Sequence, residues 1–171
     1  MVQVRVLGVA MDTTGQHIIL LKPVGLAPAV GQVLPIWIGE QEAASTLIAL
    51  SGDTAPRPQS HDLMKTLLDT VGARVERVEV TRIDQGTFYA EITLVTPSGT
   101  VVLDARPSDS VALALRTETT IFVANDVLDE VGIPAGMVES PDDEDEAPDA
   151  NQVIDELKEF LEHVDPEDFK G

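Results

Sequence analysis

Cysteine is absent from the 171 residues, which excludes disulfides, thiolate metal sites and cysteine nucleophiles. Aromatic side chains are only 4% of the chain, so a core has to be packed from Val, Leu, Ile and Ala; the 43% hydrophobic fraction makes such a core feasible. No apolar run approaches the roughly 18–20 residues that a membrane-spanning helix needs. The opening Met1-Val2-Gln3-Val4-Arg5-Val6 alternates like a strand, where a signal peptide would carry a long apolar segment. Export and membrane insertion are therefore not expected, and a cytoplasmic location is. Phosphate-loop, Gly-x-Gly-x-x-Gly and nucleophile-elbow patterns are missing as well. Basic charge is scarce: 11 Lys and Arg stand against 30 Asp and Glu, a net charge of −19. Nucleic-acid binders are usually basic, because neutralised phosphates supply most of their affinity. That disfavours a tight, static complex. It weighs less against an enzyme that uses divalent cations and meets nucleic acid as a transient substrate.

The acidity is unevenly spread. From residue 139 onward 14 acidic side chains face only Lys158 and Lys170, a net of −12; residues 1–138 hold 16 acidic and 9 basic side chains, a net of −7. The run Ser140-Pro141-Asp142-Asp143-Glu144-Asp145-Glu146 cannot fold against itself. The expected organisation is one domain over residues 1–136 and a flexible acidic extension over residues 137–171. In that extension Val153, Ile154, Leu157, Phe160, Leu161 and Val164 recur at helical spacing. Such a helix either docks on the domain or waits for a partner, and the acidic tail suits a basic one.

Along the domain, residues 2–11 and 16–22 read as strands joined at Asp12-Thr13-Thr14-Gly15. A Gly/Pro/Ala loop over 24–32 leads to a third strand at 33–38 and a helix from Glu40 to Gly52. A second helix is expected with Ser60 as N-cap, an apolar stripe of Leu63, Met64, Leu67, Leu68 and Val71, and Gly72 as its stop. Strands at 73–83, 87–95 and 100–105 follow, then a helix opened by Pro107, a short strand at 121–123 and a helical turn at 127–131. The order strand, strand, strand, helix thus occurs twice. A shift of 67 positions lays Glu42 on Asp109 and Ala44 on Val111, although identity across the shift is poor. The fold class expected is α+β, two βββα units with helices packed on one mixed or antiparallel sheet.

Polar residues concentrate at three helix starts: Pro35-Ile36-Trp37-Ile38-Gly39-Glu40-Gln41-Glu42-Ala43, Arg57-Pro58-Gln59-Ser60-His61-Asp62-Leu63 and Leu103-Asp104-Ala105-Arg106-Pro107-Ser108-Asp109-Ser110. Acids and serines in a first turn satisfy free N–H groups and oppose the helix dipole, worth about 0.3–1 kcal/mol each, so Glu40, Glu42 and Asp109 have an ordinary structural explanation. Arg57 and Arg106 do not, because a cation there faces the positive end of a helix. They suit an anion on which N–H groups and guanidinium converge. His61, beside Asp62 and near Arg57, is a candidate general base or metal ligand, whereas His17 lies in a strand and His163 in the tail. Asp104 ends a strand with a carboxylate suited to Mg²⁺ or Mn²⁺.

The segments PIWIGEQEA, RPQSHDL and LDARPSDSVALALR resemble the signature stretches of the bifunctional nuclease family, in the same order and with similar spacing over residues 2–132. The resemblance implies the family's α+β domain with a strongly bent sheet, assembly as a homo-oligomer, and degradation of both DNA and RNA. The residues it marks are Glu40, Glu42, Arg57, His61, Asp62, Asp104, Arg106, Ser108 and Asp109. Departures are modest: Ser60 replaces a common threonine, Ser110 a common alanine, Thr120 a frequent proline and Asn125 a frequent acid. In the expected enzyme, Glu42, Asp62, Asp104 and Asp109 hold Mg²⁺ or Mn²⁺. Arg57, Arg106 and Ser108 bind the substrate phosphate, and His61, Asp62 and Asp109 join the arginines in catalysis. The alternative is a non-catalytic regulator that binds an anion, a nucleotide or a partner at the same helix starts. The enzyme requires all three starts to meet in space.

Overall fold

The computed structural model describes residues 1–25, 31–53 and 55–138. Most of the loop expected at 24–32, and the acidic extension with its apolar repeat at 153–164, lie outside the described residues. Within them, β1 (Val2–Met11), β2 (His17–Pro23) and β3 (Gln32–Ile38) form one antiparallel meander, and β4 (Arg74–Asp84), β5 (Thr87–Thr96) and β6 (Gly99–Ala105) form a second. The short strand β7 (Ile121–Val123) joins them, antiparallel to β1 and parallel to β4. The result is one eight-stranded mixed sheet in the order β6-β5-β4-β7-β1-β2-β3-β8. Because β7 runs with β4 and against β1, the two meanders point in opposite directions, as a two-fold relation between repeated units requires. The edge strand β8 (Ile133–Pro134) was not foreseen: two residues ending in proline carry no strand signal. Pairing registers shift beside Leu7, Glu76 and Thr81, where one extra residue sharpens the local bend and twist of a strand.

Among the described residues four helices accompany the sheet: α1 (Glu40–Ser51), α2 (Ser60–Thr70), α3 (Pro107–Thr117) and α4 (Asn125–Val131). The α+β class is thus the observed one. Alternation in the strands sends Ile19, Leu21, Leu34, Ile36, Val78 and Val80 into a core with Val111, Leu113 and Ala114 of α3 and Val127 and Leu128 of α4. A smaller cluster of Ile18, Leu20, Val33 and Ile133 packs separately from this core. Helix α3 is the hub, packing against α1, α2, β4 and β5. No helix among the described residues is long and apolar enough to cross a membrane.

Helix α2 departs from expectation twice. Its N-cap is Gln59, not Ser60, and Asp62 closes the first turn by accepting from the Gln59 backbone N–H at 2.8 Å. Of its expected apolar stripe only Leu68 packs against the core; Leu63, Met64, Leu67 and Val71 are exposed. The inward face instead follows His61, Lys65 and Leu68, at i, i+4 and i+7. His61 has taken the place on α2 where an ordinary amphipathic helix would bury a leucine.

Candidate active site

Each meander ends in a strand that feeds a helix, so β3 leads to α1 and β6 to α3. Glu42 and Asp109 are both the third residue of their helix, the equivalence that the 67-residue shift anticipated. The two first turns face one another, and Arg106 lies between them. Its Nε and Nη2 donate to Asp109 Oδ2 and Oδ1 at 2.7 and 3.0 Å, and Nη1 lies 3.0 Å from Glu42 Oε1. A guanidinium offers five N–H groups, and two of these five remain for a ligand. Gly39 helps admit this arrangement, since a Cβ there would meet the folded-back Glu42 carboxylate at 2.5 Å.

Helix α2 brings His61 to the same place. The residue is only 7% exposed; Nε2 lies 3.2 Å from Asp109 Oδ1 and Nδ1 lies 2.9 Å from Ser45 Oγ on α1. Three helices therefore meet through one chain of polar contacts, Ser45–His61–Asp109–Arg106–Glu42. These five residues line an open cleft of about 610 Å³ together with Gln41, Pro58, Gln59 and Ser60. A second cleft of about 110 Å³ shares Glu42 and Arg106 and is walled by Ile36, Trp37, Phe88 and the buried Ser108. Burial by itself would raise the Asp109 carboxyl, but hydrogen bonds and charge from Arg106, reinforced by His61, hold it below the ordinary carboxylate range. The Arg106 guanidinium is correspondingly pushed up, chiefly by its hydrogen bond to Asp109.

Glu42, His61, Arg106, Ser108 and Asp109 thus converge, while four other expected residues do not. Glu40 is exposed on the first turn of α1 and lines neither cleft. Arg57 is exposed beside Pro58, which does line the larger cleft, and forms no ion pair among the described residues. Asp104 is exposed on β6, in register with Glu91 of β5. Asp62 is consumed structurally: Oδ2 caps α2 and Oδ1 accepts from Arg116 Nε at 2.6 Å. The expected four-carboxylate set is therefore corrected. Only Glu42 and Asp109 share a location, and among the described residues no three His, Asp or Glu side chains are grouped to hold a metal ion.

Two residues escaped the sequence reading. Ser45 lies three positions after Glu42, hence on the same helix face, a spacing that could have flagged it. Arg116 is the last residue of the LDARPSDSVALALR stretch, and its burial marks it.

The Asp62 carboxyl is held below the ordinary 3.8 by its hydrogen bond from Arg116, then by the Gln59 N–H. A carboxylate with a depressed folded pKa contributes stability that is intact above its unfolded pKa and is lost as pH falls through the folded value. Denaturant midpoints should hold to about pH 4 and drop at lower pH, and Asp62→Asn should flatten that acidic limb. An unchanged limb in Asp62→Asn would show that the pair is not formed.

Residues 24–136 match the family described as "Bifunctional nuclease domain". An uncharacterized protein of Mycobacterium tuberculosis is 36% identical over 99% of this chain and 98% of its own length. Bifunctional nuclease 1 of Oryza sativa subsp. indica is 28% identical over 66% of this chain, and Bifunctional nuclease 2 of Arabidopsis thaliana 30% identical over 54%. Those alignments cover 34% and 29% of the plant proteins, so the chain spans about a third of their length. With the match running from the loop before β3 into the 3₁₀ turn at Ala135–Met137, across all three helices of the cleft, the chain belongs to the bifunctional nuclease domain family.

Proposed function

We propose that the cleft hydrolyses phosphodiester bonds of DNA and RNA, with His61 as base, Asp109 as its orienting partner and Arg106 as the donor to the phosphate oxygens. The observation that carries this reading is the buried His61, bonded to a carboxylate that is itself held by an arginine, on the wall of an open cleft of about 610 Å³. Asp109 fixes the ring and favours the imidazolium that forms when the base takes a proton. The two spare N–H groups of Arg106 suit the charge that builds on phosphate oxygens. Arg57, exposed beside Pro58, is placed to steer an anionic strand toward the rim.

Glu42 and Asp109 against one Arg106 leave the cleft one formal negative charge in excess, which would repel a phosphodiester. A divalent cation would reverse that sign. Mg²⁺ suits this donor set, because it binds through one or two carboxylates and completes its shell with water and substrate phosphate. Glu42 would hold it, since both Asp109 oxygens are engaged by Arg106 and His61; when bound, it would supply charge neutralisation at the scissile phosphate. The test is cleavage of labelled single-stranded DNA and RNA in Mg²⁺, Mn²⁺ or EDTA. Turnover of both strands with cation, lost in Arg106→Ala, is the expected result. Binding without turnover would instead favour a non-catalytic anion-binding role.

The edge strand β6 exposes Val101, Val102 and Leu103, with Asp104 as its only charge. Unguarded apolar edges pair with other chains, and we propose that a second copy pairs here. Light scattering should report a dimer or larger assembly that Val102→Lys reduces to monomer; a monomeric wild type would remove the proposal.

A further inference from the structure

The bonding of His61 decides what it can take a proton from. A carboxylate accepts hydrogen bonds and donates none, so the contact to Asp109 Oδ1 requires a hydrogen on Nε2. In the neutral ring Nδ1 is then the acceptor, and the atom facing it at 2.9 Å is Ser45 Oγ, which has to donate. Both nitrogens are engaged and the ring is buried. No position on the base is left for a water or a substrate hydroxyl, and the one proton within its reach belongs to Ser45.

Ser45 is also unusual for its place in a helix. Hydroxyls inside helices commonly return to the carbonyl one turn back, as those of Thr46, Thr66, Thr70, Ser110 and Thr117 do here. Ser45 instead points across to α2, on the wall of the larger cleft with Arg106 and Asp109. Serine, histidine and aspartate thus stand in the order of a nucleophile, its base and the base's orienting acid. The two ring nitrogens have exchanged roles relative to serine proteases.

We propose that Ser45 is the nucleophile of this cleft and that cleavage passes through a nucleotidyl-serine diester intermediate. The proposal rests on the phosphodiesterase reading. Ser45 Oγ bonds to phosphorus as its proton moves to His61 Nδ1, and the phosphorus–oxygen bond to the leaving sugar breaks. The sugar oxygen departs with the proton that His61 returns. Nucleotidylated Ser45 no longer donates, which frees Nδ1 for water. Water gives His61 a proton and bonds to phosphorus, the bond to Oγ breaks, and Ser45 recovers its hydrogen. One water is consumed, one ester bond is cleaved and no electrons are transferred.

Two displacements at phosphorus retain its configuration, whereas one direct attack by water inverts it. Hydrolysis of a dinucleoside phosphorothioate of single configuration in isotopically labelled water should therefore proceed with retention. An acid quench during turnover should leave a nucleotidylated protein whose adduct maps to residue 45 by mass spectrometry. Ser45→Ala should still fold cooperatively, with stability lowered by no more than the loss of one buried hydrogen bond, and lose about 10³-fold or more in kcat, with Ser45→Ala/His61→Ala no worse than either single variant. Inversion at phosphorus, or Ser45→Ala turning over at the wild-type rate, would overturn the nucleophile while leaving the nuclease standing. A wild-type protein that cleaves neither DNA nor RNA would remove both.

Discussion

His61→Ala lowers kcat/KM for DNA and RNA together by about 10²–10⁴-fold and leaves Glu42–Arg106 pairing in place. One cleft is asked to serve both nucleic acids, so a single base must fall out of both reactions in the same proportion. Asp109→Asn is expected to be at least as damaging, about 10⁴-fold in kcat where a neutral partner allows the wrong tautomer. It also withdraws the carboxylate that holds Arg106 through Nε and Nη2. The measurement is steady-state cleavage of matched DNA and RNA oligonucleotides by proteins whose far-ultraviolet spectra and melting curves agree with wild type. Ratios that diverge between the two substrates would mean separate sites. Wild-type rates in a folded His61→Ala protein would remove the cleft from the chemistry altogether.

The elements were legible because their signals are local. Alternating β-branched residues give the strands, Pro107 opens α3, and Gly52 and Gly72 stop α1 and α2 at φ near +70°. Strand order was not legible, because the insertion of three-residue β7 between the meanders is settled by long-range pairing. The candidate site was legible by the same division. The repeat set Glu42 against Asp109, and the arginine that looked out of place at a positive helix end, Arg106, pairs with both of these carboxylates. Which side chains meet is decided by helix orientation. Asp62 is adjacent to His61 in sequence yet turns to Arg116, and Asp104 lies on the exposed edge strand β6. Ser45 was not singled out because its contact is with an α2 residue 16 positions away.

Arg116→Ala should destabilise the fold by about 3 kcal/mol, the low end for breaking a buried ion pair, since Asp62 keeps part of its exposure. The Arg116 side chain is 7% exposed and that of Asp62 34%. Nε donates to Asp62 and Nη1 to the Ala112 carbonyl, while Nη2 is buried with no partner among the described residues. An unsatisfied buried donor costs about 1–3 kcal/mol, so Arg116→Met, which removes charge and orphan together, should be milder than alanine. Asp62→Asn with Arg116→Met should recover further, giving a positive coupling in a double-mutant cycle. The pair also reaches the chemistry. Helix α2 is fastened to α3 at two points, Asp62–Arg116 and His61–Asp109. Releasing the first leaves His61 held only by the groups it serves, so kcat should fall while KM changes little, and oligonucleotide affinity should be kept. Urea unfolding with an unchanged slope, read beside those kinetics, checks both halves. Full stability in Arg116→Ala would show the pair to be decoration; lost stability with kcat intact would show that the cleft orients His61 without it.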